Sequence, residues 1–165
     1  GLYFRRKGIE DFVEVARRMP DVRFIWLGSI NLWLIPRKIR DLVLFNHPEN
    51  VEFPGYFKGA VFQGAMSGSD AFFFPSYEET EGIVVLEALA SGQHVVLRDI
   101  PVYNGWIDEE SAELCHNVDE FVESLRKVLD GKVDKREAGY RVAESRSIDD
   151  VALQLVKAYQ TVLEM

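Results

Sequence analysis

The chain has 165 residues, 47% of them apolar and 28% charged, which suffices for one domain with a real core and excludes a disordered polymer. Its net charge of −8 argues against a nucleic-acid partner, because a phosphate backbone is met by a basic face. Cys115 is the sole cysteine, so no internal disulfide forms and a reducing cytosol fits; no apolar run reaches the roughly 18 residues of a membrane span.

Gly1–Phe4 reads as a strand, and Arg5-Arg6-Lys7-Gly8 as the loop that follows it. Ile9, Phe12, Val13, Val15, Ala16 and Met19 recur at helical spacing until Pro20 ends the run. Val22–Gly28 is a second strand. Between Ser29 and Pro36 stand Ile30, Leu32, Trp33, Leu34 and Ile35, an unusually apolar loop. Two readings fit it: a covered helix start, or a contact with another domain, a lipid or a membrane surface. The helix after Pro36 carries Arg37, Lys38 and Arg40 on a solvated face or near anionic headgroups.

Val51–Phe53 is a short third strand ending at Pro54-Gly55-Tyr56-Phe57, whose aromatics suit a core or a ligand edge equally well. Lys58 to Met66 reads as a helix, broken by Ser67-Gly68-Ser69. Ala71–Phe74 is a buried central strand ended by Pro75. A polar, acidic loop leads to Gly82, which opens a helical run closing at Gly92. His94–Arg98 is a fifth strand, with His94 structural, and Asp99–Trp106 a loop at the same mouth. Ala112–Cys115 is a short sixth strand; Cys115 reads as packing, and His116 points to the opposite face. Val118–Leu129 is amphipathic, and a last helix starts at Ser147 with Asp149 and Asp150 behind it. Alternating strands and helices imply a Rossmann-like, doubly wound parallel sheet of about six strands, with ligand at the strands' carboxyl ends.

The segment from Pro75 to Gly92 organises the rest. Strand, polar loop, glycine, helix is an order that sets free backbone N–H groups above a strand's carboxyl end, an anion site. Glu79 and Glu87 flank it, eight positions apart. Glu78, Glu79 and Glu81 crowd one side, so an anionic ligand needs an offsetting charge. No Asp-x-Asp motif and no His/Cys ligand cluster occurs, which leaves Arg5, Arg6, Lys7 and the helix start to supply it.

Pro-Ser, then Glu79, seven residues, Glu87, and Ala-Leu-Ala-x-Gly together resemble the retaining glycosyltransferases of GT-B family four, and the likeness runs along most of the chain. The resemblance implies that Glu79 contacts the donor sugar, the catalytic role assigned here, and that Glu87 holds the ribose hydroxyls. It implies that the loop through Thr80 and Glu81 to the amides of Gly82, Ile83 and Val84 meets the diphosphate. Arg6 and Lys7 match the family's diphosphate clamp, while Leu2 stands where many members carry an arginine. Backbone near Tyr56 and Phe57 would face the nucleobase.

By the same resemblance, residues 1–165 form the donor-binding domain of a hexosyltransferase, with the amino-terminal acceptor domain absent and the domain inactive alone. The implied donor is UDP-glucose or UDP-galactose, with no metal. Pro-Ser-Tyr-Glu-Glu-Thr-Glu-Gly and Asp-Ile-Pro-Val-Tyr-Asn-Gly-Trp look most similar to bacterial diacylglycerol glycolipid glucosyl- and galactosyltransferases. That likeness implies a membrane-lipid acceptor and a cytoplasmic enzyme at the inner face of the membrane. The alternatives are a polysaccharide or lipopolysaccharide-core acceptor, and a non-catalytic nucleotide-binding module.

Overall fold

The computed structural model describes residues 1–164. Among the described residues there are five strands, β1 (Phe24–Leu27), β2 (Val51–Gly55), β3 (Ala71–Phe74), β4 (His94–Arg98) and β5 (Glu113–Cys115). They form two parallel ladders, β1–β2 and β3–β4–β5. The strand expected at Gly1–Phe4 does not form. The Phe4 N–H turns back to the Leu2 carbonyl at 2.8 Å, and Arg5–Lys7 closes a 3-10 turn ending on left-handed Gly8, so the backbone curls before it can pair. The strand count is therefore five where the pattern suggested about six.

Helices α1 (Ile9–Arg18) and α5 (Val118–Leu129) cover one face, while α4 (Ile83–Ala90) and α6 (Arg136–Glu144) cover the other. β4 shows why both faces are apolar: Val96 points into the α1–α5 core, Val95 and Leu97 into the α4 core. α1 follows from its sequence: Glu10 and Asp11 sit at the positive end of the helix dipole, Arg17 and Arg18 at the negative end. Ile9, Phe12, Val13 and Ala16 form its buried stripe. Asn50 closes its far end by donating to the Ala16, Met19 and Val22 carbonyls.

Three differences from the sequence reading concern helices. α3 runs Ala60–Gly68, so the Ser67-Gly68 break falls inside its last turn. α6 had no periodic signal because Gly139 is its only buried residue; that glycine lets α6 lie against α4, where a Cβ would stand 2.6 Å from Leu89. The apolar loop divides: Leu32–Leu34 is a 3-10 turn with Trp33 82% and Leu34 74% exposed, whereas Ile35 is buried before α2 (Arg37–Leu44). The last helix, α7 (Ile148–Leu163), is capped by Ser147 accepting from the Asp150 N–H and has no buried residue.

Arg98 knots the carboxyl edge of the sheet. Its buried guanidinium donates to the Pro75 and His116 carbonyls at 3.2 and 2.6 Å, pairs with Asp11, and lies 3.8 Å above the Tyr77 ring. One side chain thus ties β3, β5 and α1 to β4. Removing it leaves Asp11 and two carbonyls short of a donor, so Arg98→Met is expected to lower stability by about 3 kcal/mol, read as a fall in the urea midpoint with unchanged m-value.

Candidate functional site

The site forms where β3 ends. Gly82 caps α4 in the left-handed region, φ 78°, and leaves the Gly82, Ile83 and Val84 N–H groups without a hydrogen bond among the described residues. Gly82 is required twice over: its φ suits glycine, and an added Cβ would stand 3.0 Å from the Tyr103 ring. These amides and the α4 dipole give a positive pole at the mouth of the sheet.

The basic turn docks against the same loop. Tyr77 N–H donates to the Arg6 carbonyl at 2.8 Å, and Gly8 packs so close to Pro75 that a Cβ would stand 2.2 Å from its carbonyl oxygen. Lys7 Nζ then reaches Glu79 Oε1 at 2.5 Å, and Ser76 Oγ donates to that same oxygen at 2.7 Å. Both partners of the Lys7–Glu79 pair are largely buried, 15% and 10% exposed, so water screens their attraction poorly. Lys7, Glu79, Thr80, Glu81, Gly82, Ile83 and Val84 all line one open cavity of about 700 Å³.

The other proposed residues stand apart from this cavity. Arg5 turns away to Glu10 at 3.1 Å, and the exposed Arg6 side chain lies beside Phe4 while its carbonyl holds the loop. Glu87 is exposed, one turn into α4, so it carries no burial cost. Tyr56 and Phe57 are exposed at the end of β2, 69% and 37%, and are not core. His94 lies at the opposite, amino end of β4, its pKa lowered by burial. Burial pushes the Cys115 thiol up to about 11, and its Sγ contacts Ser124, which leaves it inert. His116 is exposed beside Asp99.

Tyr103 is the residue that pattern reading missed. It sits in the loop after β4, buried beneath Gly82, and its hydroxyl has no hydrogen-bond partner among the described residues. Burial, and secondarily the Glu79 charge, raise its pKa. The only sequence signal was its place in a loop at the sheet's mouth; nothing in the spacing marked it as buried.

The model of the family described as "Glycosyl transferases group 1" matches residues 1–131. Over its whole length the chain is 50% identical to half of a "Processive diacylglycerol alpha-glucosyltransferase" from Acholeplasma laidlawii. It is 31% identical over 101 residues, 60% of this chain and 27% of the relative, to an "Alpha-galactosylglucosyldiacylglycerol synthase" from Streptococcus pneumoniae. The chain thus spans half or less of the length of these relatives. Among solved structures, sucrose-phosphate synthase from Thermosynechococcus elongatus superposes with TM-score 0.84 at 22% identity, over 99% of this chain and 44% of that one. The pneumococcal O-GlcNAc transferase GtfA, solved with UDP and GlcNAc, superposes with TM-score 0.76 at 16% identity, over 99% and 35%. These structural likenesses establish the α/β fold.

Gly82 and Tyr103 make opposite expectations for stability. Gly82→Ala forces a strained φ against the ring and is expected to cost about 2 kcal/mol. Tyr103→Phe removes an orphaned hydroxyl and is expected to add about 1 kcal/mol. Urea unfolding of the two variants beside the parent reads both.

Proposed function

The chain belongs to the group 1 glycosyltransferases, and from that premise we propose that it is the donor-binding domain of a retaining hexosyltransferase that takes UDP-glucose or UDP-galactose. The observation that carries this reading is the convergence of Lys7, Glu79 and the open amides of α4 on one cavity at the carboxyl edge of β3. An ammonium group and a helix start that line one cavity suit a diphosphate. In transfer, charge grows on the departing UDP as the sugar–oxygen bond breaks, and these groups meet that charge with little reorganisation. They do so without a metal ion in this proposal.

Lys7 is spoken for by Glu79 in the free protein. A diphosphate, carrying more charge, draws Lys7 toward itself and releases a Glu79 oxygen to accept from donor-sugar hydroxyls. Glu79 is therefore the residue assigned to orient the sugar, held meanwhile by Ser76. Glu87, exposed one turn beyond the amides, is suited to the ribose hydroxyls, and exposed Tyr56 and Phe57 offer an edge for the base.

The acceptor in this reading is a glycolipid, diacylglycerol or its monoglycosylated form, bound chiefly by another domain. The support is the names of the two relatives, one a diacylglycerol glucosyltransferase and one a galactosylglucosyldiacylglycerol synthase. A peripheral seat on the inner face of the membrane follows as part of the proposal. Among the described residues no helix is long and apolar enough to cross a membrane. Trp33, Leu34 and Phe45 nonetheless stand 82%, 74% and 74% exposed at either end of α2. Arg37 and Lys38 are paired with Asp41 and Glu10, so the apolar side chains carry more of this contact than the cations.

Two measurements test these assignments. Calorimetry is expected to find UDP and UDP-glucose binding and no NAD binding, with Lys7→Ala weakening UDP by about 2 kcal/mol, some thirtyfold, and Glu87→Ala also weakening it. Preference for NAD, or no nucleotide binding at all, refutes the donor. For the membrane, cosedimentation with phosphatidylglycerol vesicles is expected to drop several-fold in Trp33→Ser. Equal sedimentation of parent and variant rules out the loop as the contact.

A further inference from the structure

Among the described residues, one buried side-chain polar atom has no hydrogen-bond partner, the Tyr103 hydroxyl oxygen. Such an orphan costs the free energy of the hydration it has lost. Its surroundings fix where it stands. The Tyr103 N–H donates to the Ile100 carbonyl at 3.1 Å, and the Ile107 N–H donates to the Tyr103 carbonyl at 3.0 Å. Trp106 meets the ring edge-on, 5.5 Å between centroids. Held at backbone and ring, the side chain runs beneath Gly82, where a Cβ would stand 3.3 Å from the hydroxyl oxygen. Tyr103 is 2% exposed and lies behind the Gly82 segment of the cavity wall, while Glu79 and Gly82 line the cavity itself.

A hydroxyl in that place is a donor without an acceptor. Burial, and secondarily the Glu79 charge, raise its pKa, so it keeps its proton at neutral pH. Glu79 is the carboxylate whose charge reaches it. In the free protein, Glu79 Oε1 accepts from Lys7 Nζ at 2.5 Å and from Ser76 Oγ at 2.7 Å. With those bonds in place, Tyr103 has no share of the carboxylate.

We propose that Tyr103 is a positioning residue for Glu79: when a diphosphate draws Lys7 off, the Tyr103 hydroxyl donates to the released carboxylate and fixes one of its oxygens. The diphosphate in this inference rests on the donor reading above; the hydrogen bond between Tyr103 and a released Glu79 does not.

The charge balance calls for such a donor. The Glu79 side chain is only 10% exposed, and without Lys7 it is a largely buried carboxylate held by Ser76 alone. A buried charge stripped of its partner is costly unless hydrogen bonds replace it. A neutral hydroxyl supplies one without competing for the ligand's negative charge, as a second cation would. It leaves the other carboxylate oxygen free to accept from the ligand. The hydroxyl therefore lowers the stability of the free protein and raises the affinity of the site.

Two measurements test this, one of them without ligand. Urea unfolding is compared for the parent, Tyr103→Phe, Lys7→Met and the double variant. Lys7→Met releases Glu79 permanently, so the hydroxyl then has its acceptor in the free protein. Tyr103→Phe is expected to raise the urea midpoint in the parent and to lower it in the Lys7→Met background. Equal shifts in the two backgrounds overturn the proposal. The second measurement is calorimetry with UDP, which draws Lys7 without supplying sugar hydroxyls. Tyr103→Phe is expected to weaken UDP binding about tenfold, the effect of one hydrogen bond to a charged group, and to add nothing in a Glu79→Ala background. Affinity unchanged by Tyr103→Phe, or an equal loss that persists without Glu79, also overturns it. A merely structural role would lower midpoint and affinity together. If Lys7→Met does not fold, the calorimetry decides alone. If the parent does not bind UDP, the donor reading fails, and the unfolding comparison decides the Tyr103–Glu79 bond by itself.

Discussion

The docking of a four-residue turn on a loop shapes the cavity at the carboxyl edge of β3. Arg5–Gly8 lies against Pro75–Glu79 through a backbone hydrogen bond, a glycine with no room for a side chain, and the Lys7–Glu79 pair. The turn follows the first residues and the loop follows β3, so the contact joins segments some seventy positions apart. It also stands at the only place where free helix amides emerge from the sheet among the described residues that line the cavity. Cation and helix pole thereby line one cavity.

Electrostatically the close pair of the cavity is Lys7 with Glu79, while exposed Glu81 also lines it and leaves negative charge unanswered. Such a site does not draw monovalent anions strongly, since any anion competes with a carboxylate already at 2.5 Å. A ligand with two adjacent negative groups competes better, because one engages the α4 amides while the other engages Lys7. On the proposed donor reading, this pairing favours a diphosphate over a lone phosphate.

The sequence was most legible where periodicity and punctuation agreed. α1, α4 and α5 were visible from apolar spacing, and the ends of β3 and α4 from Pro75, Gly82 and Gly92. What escaped had causes in tertiary structure. Gly1–Phe4 has the composition of a strand but folds back on itself, because a ladder needs a partner and composition does not supply one. α6 escaped because Gly139 makes its contact by having no side chain, which no hydrophobic pattern records. Tyr103 escaped because its burial depends on the loop crossing beneath Gly82. Of the residues expected at the site, Lys7 and Glu79 to Val84 line one cavity, while Glu87, Arg6, Tyr56 and Phe57 do not; that Lys7 already holds Glu79 was not foreseen, since distance in sequence hides it.

α7 is a different kind of object from the rest of the domain. Sixteen residues long, it has a good cap and a negative first turn, yet Val151, Leu155, Tyr159 and Leu163 all face water. A helix of about this length, held chiefly by its own backbone bonds, is marginal in water. Heating is therefore expected to unwind it gradually, below the cooperative melting of the sheet and its two helical layers. A far-ultraviolet melt of the domain would then carry a sloping helical prelude before the sharp transition, and a single van't Hoff enthalpy fitted across both would describe neither process.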